Sequence, residues 1–113
     1  MIKFNERVWE KMRRIPRGKV TTYKQLAHAL NTNAYRAVGN ACRRNPYAPE
    51  APCHRVVKSS GEIGGFGGKL SGPNIRQKIE LLKKEGVHVS DGKIVDFDKR
   101  NHSSVLIKAN EKW

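Results

Sequence analysis

The chain's 113 residues, 37% hydrophobic and 7% aromatic, suffice for one modest core and not for two. Its 23 Lys and Arg against 10 Asp and Glu leave a formal net charge of +13, an excess whose ordinary use is attraction to a polyanion, nucleic acid ahead of anionic membrane. No bilayer-length apolar run, no signal-peptide core and no C-x-x-C pair among its two cysteines argue against a membrane-spanning chain, a disulfide-stapled secreted domain and a structural zinc site, and point to an intracellular, reducing compartment, cytoplasmic or nuclear.

The first segment, FNERVWEKMRRI, sets Phe4, Val8, Met12 and Ile15 on one helical face, with Trp9 beside them and Arg7, Lys11 and Arg14 on the other. The PRGK run from Pro16 breaks it. Thr22 and Gln25 have capping-box spacing, so a second helix starts near Tyr23 and buries Leu26, Ala27 and Leu30. The polar turn NTN offers Asn33 as N-cap for a third helix, AYRAVGNACRRN. Ala34, Val38, Ala41 and Cys42 share one of its faces, while Arg36, Arg43 and Arg44 point elsewhere. Two short helices across a short turn, the second rich in arginine, have the form of a helix-turn-helix with its recognition helix.

The run NPYAPEAP, Asn45 to Pro52, holds three prolines and is an irregular connection that delivers the chain to Cys53. RVV, KSSGE and IGGFGG then predict a short hairpin-like excursion followed by a glycine-rich loop. Gly72 and Pro73 open a last helix, PNIRQKIELLKKEG, with Ile75, Ile79 and Leu82 on one face and Gly86 as its stop. VHVSDGKIV alternates around Asp91–Gly92, a hairpin turn signal. The expected organisation is one domain over residues 1–95 and a polar, mixed tail over 96–113 in partial disorder.

The stretch that asks for chemistry is APCHRVV, residues 51–57. An ordinary cysteine, with a pKa of about 8.5, is only a few per cent thiolate at neutral pH. His54 and Arg55 follow Cys53 directly and shift that balance. Consecutive side chains point apart, however, so a water or a tight turn after Pro52 is needed to join thiol and imidazole. A histidine base also needs a group to orient its second nitrogen, and Glu50, Glu62, Glu80 and Glu85 are all available to spacing alone. For Cys42, on the apolar side of its helix, the reading is a small buried side chain.

With PCHRVV joined to RAVGNACRRNP, TTYKQLA and GGFGG, the sequence resembles the DNA-binding domain of 6-O-alkylguanine–DNA alkyltransferase, also called methylated-DNA–protein-cysteine methyltransferase, from about Phe4 to Val89. The resemblance implies a mainly α, small winged-helix-like domain with a helix-turn-helix and a short hairpin, lacking the family's N-terminal α/β domain. It implies DNA repair by irreversible, single-use transfer of an alkyl group from the 6-oxygen of a flipped guanine to Cys53, with no cofactor and no metal. His54 would take the thiol proton through a water, Glu85 would orient His54, and Asn45 would brace the turn. Arg36 would fill the gap left by the flipped nucleotide, and Tyr23 would crowd the adjacent phosphate and touch the base. The carbonyls of Cys53 and Val56 would accept from the guanine 2-amino group, and Phe66 and Gly67 would lie in a mobile pocket wall. Thr22, Arg36, Ala37, Asn40, Arg43 and Arg44 would meet the DNA. The implied partner is double-stranded DNA containing 6-O-alkylguanine, bound by a monomer away from any membrane.

Phe66 and Gly67 stand where many members have tyrosine and serine, and Cys42 stands where an aliphatic residue or methionine is common. Three other functions compete. Alkyltransferase-like proteins bind alkylated guanine without transfer and recruit an excision-repair partner, but usually carry tryptophan at the position of Cys53. A sequence-specific helix-turn-helix regulator accounts for the charge and leaves PCHR unexplained. A cysteine hydrolase leaves the basic surface without a use.

Overall fold

The computed structural model describes residues 3–65 and 72–101. Helix α1, Phe4–Met12, follows its apolar spacing: Val8 and Met12 are fully buried, and Trp9 donates its Nε1–H to the Ala41 carbonyl at 2.8 Å. The helix stops short of Ile15. Arg13 caps it, and the Ile15 amide closes a turn on the Met12 carbonyl at 3.1 Å while the side chain stays in the core. Pro16 is the cause, because the residue before a proline is pushed out of the α region.

Helix α2, Tyr23–Ala29, begins on the expected capping box, in which Thr22 Oγ1 accepts from the Gln25 amide at 3.0 Å and Gln25 Oε1 accepts from the Thr22 amide at 3.1 Å. Such a cap contributes about 1 kcal/mol. Helix α3, Tyr35–Arg43, departs from expectation at its start. Ala34, not Asn33, is the N-cap, with no side-chain cap bond; Thr32 Oγ1 takes the Ala34 amide at 3.1 Å, and the Asn33 carbonyl takes that of Tyr35 at 2.8 Å. Ala34 is therefore exposed rather than part of the buried face, which Val38, Ala41 and Cys42 supply.

Two strands of two residues each, β1 (Thr21–Thr22) and β2 (Val56–Val57), pair in parallel with Thr21 opposite Val56 and Thr22 opposite Val57. A strand sends successive side chains to opposite sides. Val56 accordingly joins a first cluster with α1, α2 and α3, and Val57 joins a second with Val20, Ile63, Leu82, Val87 and Ile94. The single core expected from composition is thus divided in two by the thin β1–β2 ribbon.

Helix α4, Pro73–Lys84, has Gly72 and Pro73 at its start as expected. At its end Val87 N donates to Leu82 O and Gly86 N to Lys83 O, the paired bonds of a Schellman stop, with Gly86 at φ +82°. Strands β3 (Val89–Ser90) and β4 (Lys93–Ile94) form the predicted antiparallel hairpin, and Asp91 and Gly92 both take positive φ as its turn requires.

The polar tail expected from Asp96 instead opens with helix α5, Phe97–Arg100, beyond the boundary placed at residue 95. Phe97 packs on the second cluster, and Val20 N donates to the Arg100 carbonyl at 2.8 Å. Gly61, at φ +90°, lets the Phe97 ring approach, since a Cβ there would stand 3.3 Å from it. Among the described residues no helix is long and apolar enough to cross a membrane. The result is a mainly α, small winged-helix-like domain with a helix-turn-helix in α2 and α3.

Candidate active site

Pro52 turns the chain into a single 3-10 turn, Cys53–Arg55, that runs directly into β2. Asn45 braces the approach: its Nδ2 donates to the Ala51 carbonyl at 2.6 Å, and its Oδ1 accepts the Tyr47 amide at 2.9 Å. Cys53 is half-buried against the first cluster, beside Tyr23. Burial pushes its thiol above the ordinary cysteine value, although the Asn45 amide and the charge of Lys78 pull the other way. The depression expected from its sequence neighbours is therefore reversed, because desolvation outweighs them.

His54 is 2% exposed and turns Nε2 to Glu85 Oε2 at 3.1 Å. A carboxylate accepts, so Nε2 carries the proton and Nδ1 is left as the acceptor. Burial also lowers the His54 pKa against the opposing pull of Glu85, which keeps the ring neutral. Of the four acids open to spacing, the structure brings Glu85 to the histidine. It also brings Arg55, whose Nε and Nη2 grip the Glu85 oxygens at 2.9 and 2.6 Å while Nη1 donates to the Ile15 carbonyl at 2.6 Å. Burial alone would raise the Glu85 carboxyl, but its bonds to Arg55 and His54 bring it below the ordinary value. The chain of groups thus runs from Arg55 through an ionised carboxylate to a neutral imidazole, and the protonated thiol belongs to the preceding residue.

Tyr23, the first residue of α2, lies over Gly64, where a Cβ would stand 3.7 Å from its hydroxyl oxygen. Burial, and then the nearby thiols, raise its phenol and hold it protonated. Arg36, Asn40, Arg43 and Arg44 are exposed along one side of α3, with Ala37 half-buried among them. Thr22 is a correction: it is 2% exposed, and its hydroxyl is committed to the α2 cap rather than presented outward. Cys42 is buried, its Sγ 3.7 Å from Met12 Sδ, as its place on α3 suggested. Val56 is buried with its carbonyl on Lys78 Nζ at 2.9 Å. Phe66 and Gly67 lie outside the described residues.

Two participants escaped the sequence reading of the site. In sequence Arg55 is a neighbour of the thiol, and nothing local shows that it reaches a glutamate thirty positions on. Lys78 did leave a signal, because it interrupts the apolar stripe of Ile75, Ile79 and Leu82 on α4 and yet is fully buried. No group of three His, Cys, Asp or Glu able to hold a metal gathers among the described residues.

A helix-turn-helix domain with a cysteine, histidine and glutamate set directly behind it is a narrow class. The family model described as the 6-O-methylguanine DNA methyltransferase DNA-binding domain matches residues 3–87. The chain belongs to that family.

Curated relatives named methylated-DNA–protein-cysteine methyltransferase include one from Archaeoglobus fulgidus, 45% identical over 87 residues, and one from Sulfolobus acidocaldarius, 44% identical over 86. The matches cover 74% and 76% of this chain and 56% and 51% of those proteins, so the chain spans about half the length of the relatives it matches. Among solved structures, Mycobacterium tuberculosis OGT in complex with DNA has a TM-score of 0.68 at 38% identity, covering 76% of this chain and 50% of that one. The S. pombe ATL in complex with DNA has a TM-score of 0.73 at 29% identity, covering 90% and 98%.

Proposed function

We propose that this protein repairs DNA by taking the alkyl group of 6-O-alkylguanine onto Cys53, once per molecule. The observation that carries the reading is the Arg55–Glu85–His54 chain behind a half-buried thiol at the end of the short connection from α3. A thiol held above its ordinary pKa is not a standing nucleophile, so it must be deprotonated where it reacts. A neutral His54 with Nδ1 open supplies the base, through a bridging water. The thiolate then attacks the alkyl carbon, the carbon–oxygen bond breaks with its electron pair passing to the guanine, and the guanine takes up a proton. A thioether remains on Cys53, and the reaction draws on no cofactor because the substrate brings the alkyl group.

The partner in this reading is duplex DNA. The alkylated oxygen faces into the base stack, so the nucleotide has to be turned out at a cost of a few kcal/mol. Arg36, exposed at the start of α3, would fill the gap, and the +13 charge would supply attraction to phosphate. Tyr23, protonated beside Cys53, would touch the base.

The test is intact-protein mass before and after incubation with a duplex carrying one 6-O-methylguanine, followed by peptide mapping. One methyl group on Cys53, and none on the Cys53→Ser variant, is the expected result. A second reading, a sensor that binds alkylated guanine without transfer and passes it to an excision-repair partner, is favoured by the nearly full-length likeness to S. pombe ATL. Tight binding with no change of mass would establish it in place of transfer.

A further inference from the structure

The turn over residues 16–19, closed by the Lys19 amide on the Pro16 carbonyl at 3.1 Å, joins the C-terminal ends of α4 and α5. Arg17 Nη2 donates to the Lys84 carbonyl at 2.8 Å, Lys19 Nζ to the Lys99 carbonyl at 2.9 Å and Arg100 Nη1 to the Gly18 carbonyl at 3.1 Å. Lys83, Lys84 and Lys99 stand exposed around these three bonds, so six cations gather on one face. Of the six, among the described residues, Arg17 alone comes near a carboxylate, Glu85 Oε2 at 4.0 Å, and Arg55 already grips that group. Glu80 on α4 and Asp96 and Asp98 at the start of α5 pair with none of them.

Cations near a helix C-terminus are favourable by less than about 1 kcal/mol each, and that accounts for the three that bond to carbonyls. Lys83, Lys84 and Lys99 add like charge beside them, and close like charges take back a similar amount. Such a face stabilises nothing by itself and becomes favourable against a polyanion. Its position separates it from α3. Helices α4 and α5 pack on the second cluster and α3 on the first, so the β1–β2 ribbon stands between this face and Arg36, Arg43 and Arg44. Lys99 and Arg100 also lie beyond residue 87, where the match to the family's DNA-binding domain ends. We propose that this face is a second DNA-binding surface, which holds the phosphates of a separate duplex segment while α3 holds the first. The proposal rests on the DNA-binding part of the reading above and not on alkyl transfer.

The experiment mixes the full chain with two short undamaged duplexes, one carrying a donor dye and the other an acceptor, and reads energy transfer between them at low salt. The unmutated chain is expected to bring the duplexes together, in a complex whose native mass is one protein with two duplexes. The variant with Lys83→Gln, Lys84→Gln and Lys99→Gln leaves the backbone carbonyls in place and removes three exposed charges. It should need about tenfold more protein to bridge, while its affinity for a single duplex stays within about threefold. An equal loss in both measurements would overturn the proposal, because the face would then extend one footprint on one duplex. So would a bridged complex of two proteins with two duplexes, in which the copies hold each other. Absence of bridging by the unmutated chain, with the face retaining an acidic peptide such as polyglutamate, would overturn it in favour of a protein partner. Failure of the unmutated chain to bind even one duplex is a distinct outcome, which removes the DNA reading and the proposal with it.

Discussion

Replacing Glu85 with glutamine tests the site where its parts are most tightly coupled. The carboxylate accepts three close bonds, from His54 Nε2 at 3.1 Å and from Arg55 Nε and Nη2 at 2.9 and 2.6 Å, and the three side chains are 3%, 15% and 7% exposed for His54, Arg55 and Glu85 respectively. Glutamine keeps one acceptor and sets an amide donor where Oε2 stood, facing two other donors. Two charge-assisted bonds at about 1.5 kcal/mol each give a loss of about 3 kcal/mol in stability, readable in urea. The larger effect is on chemistry. Nε2 can satisfy the new amide only by accepting, which moves the ring proton to Nδ1 and removes the base. General-base catalysis is worth about 10² to 10⁴, so the single-turnover rate on 6-O-methylguanine duplex should fall by about a thousandfold while DNA affinity holds. A rate within about tenfold of the unmutated protein at pH 7, in a variant that still folds, would refute the role of His54 as the base oriented by Glu85.

The same pair sets a pH dependence. The Glu85 carboxyl is lowered in the folded protein, so the stability it supplies is fully present above the ordinary glutamate value of about 4.3 and is lost as pH falls through the folded one; Glu85→Gln should flatten that limb of a urea-stability profile. Arg36→Ala should slow repair of duplex DNA more than reaction with free 6-O-benzylguanine, and equal losses on both would reject an action on the base stack. Arg43→Ala should weaken duplex binding at every sequence and reduce the slope of log affinity against log salt by about 1, measured by titration at several salt concentrations; an unchanged slope would take Arg43 off the interface. Gly86→Ala forces an L side chain into φ +82° at the α4 stop and should cost about 1 kcal/mol in thermal or urea unfolding, with transfer chemistry unaffected.

What the sequence made legible were features whose cause is local. The Thr22–Gln25 box, the Gly72–Pro73 and Gly86 limits of α4 and the Asp91–Gly92 turn each depend on a few adjacent residues, and each forms as read. The β1–β2 ribbon left no such trace, since two threonines and two valines are too short to show alternation and their partners are 35 positions apart. Helix α5 was hidden because Phe97 is its one apolar residue, so no periodicity marks it; its order comes from Gly61 and Val20, far back in the chain. In the site, Cys53 and His54 stand out by their adjacency. The grip of Arg55 on Glu85, and the direction in which burial moves the thiol, depend on how the two clusters enclose the turn. Thr22 carries two readings, a helix cap from its spacing and a DNA contact from the resemblance, and its hydroxyl is committed to the first.

The connection between α3 and Cys53 has a consequence of its own. It is short, and Asn45 ties its beginning to both Tyr47 and Ala51, with a further bond from Ala51 N to the Tyr47 carbonyl at 3.0 Å. Lengthening a free surface loop is thermodynamically cheap. Here the loop behaves as a gauge: it converts the place where α3 stands on a surface into the place where a sulfur atom stands, with little slack between the two. One inserted residue would leave helix and turn each intact and spoil only the distance between them.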